Sequence, residues 1–275
     1  QRQMCIRDSM EPDHSGSISL IKQYYPNIVI VGNKKTFDMV EGFYGVGGER
    51  YVVGEGDFLA LGHHKLRFSL IPMVHWPETM VTYDETEGIL FSGDAFGCFG
   101  ALNGGVIDAN INTDIYWDEM VRYYSNIVGK YGAPVQKALQ KLQTLKINAI
   151  CSTHGPVWTE EIPRVVRIYD RLSRYEAEEG VVIAYGTMYG NTAEMAEAIA
   201  EELSKQGIRN IVMHNVSHTN HSYIIADVFK YRGLIVGCPT YNTQMYPEME
   251  ALLNKLSARE IKGRYMGWFG SFTWA

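Results

Sequence analysis

The chain has 275 residues, 46% of them hydrophobic, with 25 basic and 31 acidic side chains and a formal net charge of −6. That is enough material for two ordinary domains, each with its own core, and the acidic balance excludes the Lys/Arg-rich face that a nucleic-acid partner would need. No apolar run approaches the ~20 residues of a membrane-spanning helix, and Cys5, Cys98, Cys151 and Cys238 are widely separated with no C-x-x-C pair, which reads as reduced thiols of a cytoplasmic protein.

Residues 1–9 lack an apolar segment and resemble translated sequencing-adapter read-through, so they are expected to be foreign to the protein. Next comes Glu11-Pro12-Asp13-His14, three metal-ligand side chains in four residues; Asp13, with Ser15, is equally suited to cap a helix over residues 16–24. Between Ile28 and Val74, short β-branched and aromatic runs at 27–32, 51–54 and 66–72 alternate with Gly-rich turns, predicting strands and hairpins. Residues 88–93 predict a buried strand that delivers Asp94. Helical periodicity covers 116–129, with Met120, Tyr124 and Ile127 on one face, and 134–146, with Val135, Leu139 and Leu142. Residues 147–151 predict a strand that presents His154. A charged linking helix is expected over 164–179 with Gly180 as its stop. Beyond it the pattern becomes regular strand, loop, helix: strands at 181–185, 210–214, 233–238 and 264–269, and helices at 193–206, after Asn220 and after Pro247. That is the grammar of a doubly wound α/β domain. Residues 269–275 stop inside a loop, so the C-terminal end is expected to be cut, flavin binding by this chain to be poor, and the chain as given to be inactive by itself.

Two groups of residues carry chemistry. His75, Asp94 and His154 lie in Val74-His75-Trp76-Pro77, Ser92-Gly93-Asp94-Ala95 and Thr153-His154-Gly155-Pro156. Gly and Pro beside a ligand-type residue fix a loop tip where side chains from different strands can converge. Each is a weak signal alone, since a lone His near a turn is commonly structural; their joint occurrence with Glu11, Asp13 and His14 is a strong one. Imidazole and carboxylate without thiolate suit Zn, Fe or Mn. His63, His64, His214, His218 and His221 read as surface or helix-entry residues, and Cys151 as packing. The second group is three loops at strand ends. Thr187-Met188-Tyr189-Gly190-Asn191-Thr192 offers hydroxyls and backbone N–H groups at a helix N-terminus, although an ordinary capped βα turn would look the same. It has no Walker lysine, which suits a monophosphate rather than a magnesium-bound triphosphate. Pro239-Thr240-Tyr241-Asn242-Thr243 and Ser271-Phe272-Thr273-Trp274 follow the third and fourth strands.

The order E-x-D-H, H-W-P, G-D-A-F-G and S-x-H-G, followed by the hydroxyl-rich loop, resembles the flavodiiron proteins over residues 10–275. The family motif is H-x-E-x-D-H, and Ser9 stands here in place of its first His. The resemblance implies an α/β chain: a partial metallo-β-lactamase-like αβ/βα sandwich over 10–162, a linking helix over 163–180, and a partial flavodoxin-like sheet over 181–275. It implies two non-haem irons, one held by Glu11 and His75, the other by Asp13, His14 and His154, with Asp94 bridging. It implies FMN in the three loops, with Tyr241, Phe272 and Trp274 flanking the ring; Thr273 replaces a usual Gly. The implied activity is reduction of O2 to water or NO to N2O, with electrons from a rubredoxin-like protein or flavin reductase. The resemblance further implies a head-to-tail homodimer in which the flavin of one subunit serves the iron site of the other. Two rivals stand beside this reading. A zinc hydrolase fused to a flavodoxin is opposed by Glu11, since zinc hydrolases of this fold usually carry His there. A non-enzymatic FMN electron carrier leaves the ligand set unexplained.

Overall fold

The computed structural model describes residues 4–102 and 104–272. Their contacts form two compact units, one running to Trp117 and resuming over Ala133–Asp170, the other comprising Asp118–Gly132 and Arg171 onward.

The first unit opens with strand β1 (Met4–Ile6), helices α1 (Pro12–Ser15) and α2 (Ile18–Tyr24), strand β2 (Val29–Gly32), helix α3 (Lys34–Tyr44) and strand β3 (Arg50–Val52). The three strands form a parallel sheet in the order β1-β2-β3. Alternation along β2 sends its side chains to opposite faces. Ile30 packs with Met10, Ile18, Phe37 and Val40, whereas Val31 packs with Leu66, Phe68 and Met80. Strands β4 (Phe58–Leu61), β5 (His64–Leu70), β6 (Met80–Asp84) and β7 (Ile89–Gly93) then make an antiparallel meander. Helices α4 (Asp114–Tyr123) and α5 (Gly132–Leu142) precede β8 (Ala149–Ser152), which pairs parallel with β7, and β9 (Val157–Trp158) completes the second sheet. The unit's chain path ends within helix α6 (Ile162–Ser173), at Asp170. The helix N-terminus is held by the buried Asp108, whose carboxylate accepts from the backbone N–H groups of Thr159, Glu160 and Glu161.

The second unit contains β10 (Glu178–Tyr185), α7 (Asn191–Lys205), β11 (Ile211–Asn215), α8 (His221–Lys230), β12 (Tyr231–Pro239), α9 (Pro247–Ser257) and β13 (Tyr265–Ser271). All its strand pairs are parallel, in the order β11-β10-β12-β13. The reversal between β10 and β12 creates a crevice at the strands' C-terminal ends. Among the described residues, no helix is long and apolar enough to cross a membrane.

Four expectations need correction. Residues 4–9 do not stand outside the fold: β1 is in register with β2, Thr82 donates to the Asp8 carboxylate at 2.6 Å, and the Met80 N–H donates to the Asp8 carbonyl. The region expected to be all strand and hairpin contains α3, whose cap is Asn33; the Asn33 side chain accepts from the N–H groups of Lys35 and Thr36. The linking helix ends at Ser173, six residues before the expected 179, because Tyr175 takes a left-handed conformation (φ 58°) and Glu178 is already in β10. Gly180 is therefore no helix stop; a Cβ there would collide with Tyr231 and Asn210 on the neighbouring segments. Finally, residues 118–132, assigned to the first domain by sequence order, pack with the flavodoxin-like unit. Arg122 and Asn126 bond Ser222, Arg259 donates to the Ser125 carbonyl, and Lys230 pairs with Asp118 at 3.0 Å.

Candidate metal centre and flavin loops

Six side chains from four chain segments converge in the first unit. Glu11 immediately precedes α1, and Asp13 and His14 lie within it; neither Asp13 nor Ser15 caps the next helix, since Ser15 instead bonds the Met10 carbonyl and the Tyr44 hydroxyl. His75 sits between β5 and β6, Asp94 directly follows β7, and His154 follows β8. Strand ends thus carry Asp94 and His154 side by side on a parallel pair, while the short helix presents two neighbouring donors.

The donor spacings fall into two sets. His14 Nε2 lies 3.1 Å from Asp94 Oδ1, 3.2 Å from His154 Nε2 and 3.5 Å from Asp13 Oδ2; His154 Nε2 lies 3.2 Å from Asp13 Oδ2 and 3.4 Å from Asp94 Oδ1. His75 Nε2 lies 2.9 Å from Glu11 Oε2 and 3.3 Å from Asp94 Oδ2. Donors bound to one ion at about 2.0–2.2 Å stand ~3.0–3.6 Å apart in octahedral or tetrahedral arrangements, so both sets are spaced as ligand shells. Each oxygen of Asp94 faces a different set, which is the geometry of a bridging carboxylate. Asp94 is 1% exposed.

The electrostatics ask for positive charge. Burial pushes the Asp94 carboxyl up, but hydrogen bonds from His14, His154 and His75 outweigh it and hold the group far below the usual carboxylate range. Burial pushes Glu11 up, with His75 opposing. Burial also disfavours charge on His14 and His75, yet the Asp94 contact wins and raises both; for His154 the Asp94 hydrogen bond is the largest cause of the rise. Three carboxylates draw protons onto three imidazoles, the charge that divalent cations would replace. The residues fit a pair of metal ions.

Ser9, standing where a further His is expected, is buried, and its hydroxyl accepts from the Glu11 N–H at 3.3 Å. Sequence reasoning missed Thr153, which donates to Asp94 Oδ1 at 3.0 Å; the available signal was its place directly before His154. Cys151 lines a cavity of about 450 Å³ beside Asp13, His14 and His154, and burial pushes its thiol up, consistent with packing rather than ligation. His214 and His221 are engaged elsewhere, with Asp227 and Lys255. His63 and His64 gather with Glu87 at the start of β5, apart from the six, and His64 pairs with Asp84 at 2.6 Å.

In the second unit the structure brings the three expected loops together at the ends of β10, β12 and β13. Gly190, at φ 96°, opens α7, and its N–H donates to the Thr187 hydroxyl. The buried Thr192 hydroxyl lies 3.3 Å from that of Ser271, linking the first and third loops. The Thr240 N–H donates to the Ser271 carbonyl, linking the second and third. Asn242 and Thr243 are both left-handed (φ 47° and 62°) in a tight turn closed by Tyr241 and Gln244. Met188, Tyr189, Tyr241 and Phe272 are exposed around these loops. Pro239 closes β12, and Asn191 opens α7. Thr273 and Trp274 lie outside the described residues.

Residues 3–155 match the family model described as ODP family beta lactamase, and residues 183–275 match flavodoxin. The anaerobic nitric oxide reductase flavorubredoxin of Vibrio vulnificus is 32% identical over 96% of this chain and 54% of its own. Among solved structures, rubredoxin oxygen:oxidoreductase from Desulfovibrio gigas superposes with a TM-score of 0.95 at 26% identity, covering 99% of this chain and 69% of that one. The flavodiiron protein of Giardia intestinalis gives 0.95 at 26%, covering 99% and 67%. The chain belongs to the flavodiiron family: a β-lactamase-like domain of the ODP type followed by a flavodoxin domain. It spans about half to two thirds of the length of these relatives.

Proposed function

We propose that this chain is the core of an oxidoreductase that reduces O2 to water or NO to N2O, using a non-haem di-iron centre and FMN. Glu11 and His75 would hold one iron and Asp13, His14 and His154 the other, with the Asp94 carboxylate available to both. The observation that carries the reading is the Asp94 carboxylate, buried, with Oδ1 toward His14 and His154 and Oδ2 toward His75. When bound, iron and flavin would supply the redox chemistry; the chain supplies the placement of the donors. Glu11 brings a hard oxygen donor and negative charge where zinc hydrolases of this fold carry His, favouring iron. Thr153 orients the bridge. Ser9 offers a hydroxyl in place of an imidazole, which leaves the Glu11–His75 half short of a strong donor.

In the flavodoxin unit, Thr187, Gly190, Asn191 and Thr192 would hold the FMN phosphate at the start of α7, where orphan N–H groups and the helix dipole favour an anion. Thr240, Asn242, Thr243 and Ser271 would add polar contacts to the ring, and the exposed Tyr241 and Phe272 would flank it. A small redox protein, rubredoxin-like or a flavin reductase, delivers electrons in the cytoplasm, and a head-to-tail homodimer pairs one subunit's flavin with the other's iron.

The test is gas consumption under anaerobic handling with a competent electron donor, O2 and NO supplied in turn. Asp94→Ala abolishes consumption of both gases if the reading holds. Undiminished consumption of both gases with that variant shows that the carboxylate between the two halves is not needed and overturns the reading.

A further inference from the structure

Glu78 lies outside both proposed ligand sets, yet it is 2% exposed and its bonds go to the segments that carry ligands. Oε1 accepts from the N–H of Met10, the residue before Glu11, at 2.7 Å. Its backbone carbonyl accepts from Asn33 Nδ2. Asn33 is itself fixed, because its side-chain oxygen caps α3. On the same loop the Thr79 hydroxyl accepts from the Trp76 N–H and donates to the Trp76 carbonyl, closing the turn that presents His75. One buried side chain thus ties the start of the E-x-D-H segment to the H-W-P loop, beside the pair whose facing atoms, His75 Nε2 and Glu11 Oε2, are 2.9 Å apart.

The cost of this arrangement says what it is for. Among the described residues Glu78 Oε2 is buried without a hydrogen-bond partner, a penalty that an apolar side chain of similar size would avoid. Packing alone does not explain a carboxyl there; a fixed backbone at residue 10 does. The other half of the site is braced differently, by Thr153 on Asp94 and by the Cys98 N–H donating to the His154 carbonyl.

We infer that Glu78 is a positioning residue for the Glu11–His75 half of the site: it sets the backbone at Met10 so that the Glu11 carboxylate meets the His75 imidazole across a shared cation. The inference rests on the iron-ligand reading above.

The experiment is an anaerobic Fe2+ titration of the full chain, with bound iron counted and the two positions resolved by their Mössbauer doublets, for wild type, Glu78→Ala and Glu78→Gln. Glu78→Ala is expected to weaken Fe2+ at the Glu11–His75 position by ~10–100-fold and to leave the Asp13–His14–His154 position within about twofold. Glu78→Gln keeps an oxygen that accepts from Met10 and is expected to recover most of the loss. Unchanged binding in Glu78→Ala, equal weakening at both positions, or a Gln variant no better than Ala overturns the role. Should thermal melting show that the Ala variant is unfolded, wild type against Gln decides: an Fe2+ affinity for the Gln variant within about fivefold of wild type at the Glu11–His75 position supports the role, and a larger loss overturns it. A wild type that takes up Fe2+ at neither position overturns the ligand reading itself and this inference with it, an outcome separable from the others because it shows before any variant is compared.

Discussion

The two halves of the metal cluster share one carboxylate and differ in nearly everything else. The Asp13–His14–His154 half brings three donors of its own to Asp94 Oδ1, with spacings from 3.1 to 3.5 Å. The Glu11–His75 half brings two, and the position from which a third would come is Ser9, whose hydroxyl accepts from the Glu11 backbone. A hydroxyl binds divalent iron weakly unless deprotonated, so the same fold presents a complete shell beside an incomplete one. On the proposed ligand reading, a shared carboxylate would distribute its effect over both positions, whereas a side chain facing one position would act on that one alone.

The largest effect is expected at the bridge. Asp94→Ala removes a ligand from each half and the negative charge between two cations, so bound iron should fall from its wild-type level to near zero by elemental analysis. Retention of one full iron would mean that the halves are independent. Next come the terminal ligands. His75→Ala should cost only the Glu11–His75 iron, and His154→Ala should cost most of the iron, since the half it serves is the better furnished one; equal loss from the two variants would erase the asymmetry. Ser9→His restores an imidazole to the poorer half and should raise iron toward two per chain, read as a magnetically coupled pair in Mössbauer spectra. Two coupled irons in the Ser9 chain would show that the missing donor is dispensable. The smallest effect on the cluster belongs to the flavin loops: Thr187→Ala with Thr192→Ala should weaken FMN by ~1.5–3 kcal/mol for each lost charged hydrogen bond, measured by flavin fluorescence, and leave iron content unchanged.

That the six side chains converge was legible in the sequence because each lies within two residues of a Gly or Pro. Pro12, Pro77, Gly93 and Gly155 mark loop tips, and converging loop tips are how distant residues come to share an ion. The flavodoxin-like strands were legible for a related reason: continuous apolar runs such as 181–185 signal burial on both faces. Local reasoning failed where packing decided. Helix α3 could have been found from the Asn33 cap and the Phe37 and Val40 spacing, but neighbouring β-branched runs masked it. Nothing local tells that residues 118–132 belong with the flavodoxin-like unit, since that follows from Arg122, Asn126 and Arg259 meeting partners ~100 residues away. Glu78 was invisible for the same reason: its partner, Met10, is 68 positions distant.

The most direct measurement is anomalous scattering at the iron edge from crystals of the chain grown with Fe2+ under anaerobic conditions. The account predicts a strong peak within bonding distance of Asp13, His14, His154 and Asp94 Oδ1, and a weaker one among Glu11, His75 and Asp94 Oδ2. No peak at either position, or a single peak that leaves Asp94 uncoordinated, would contradict it.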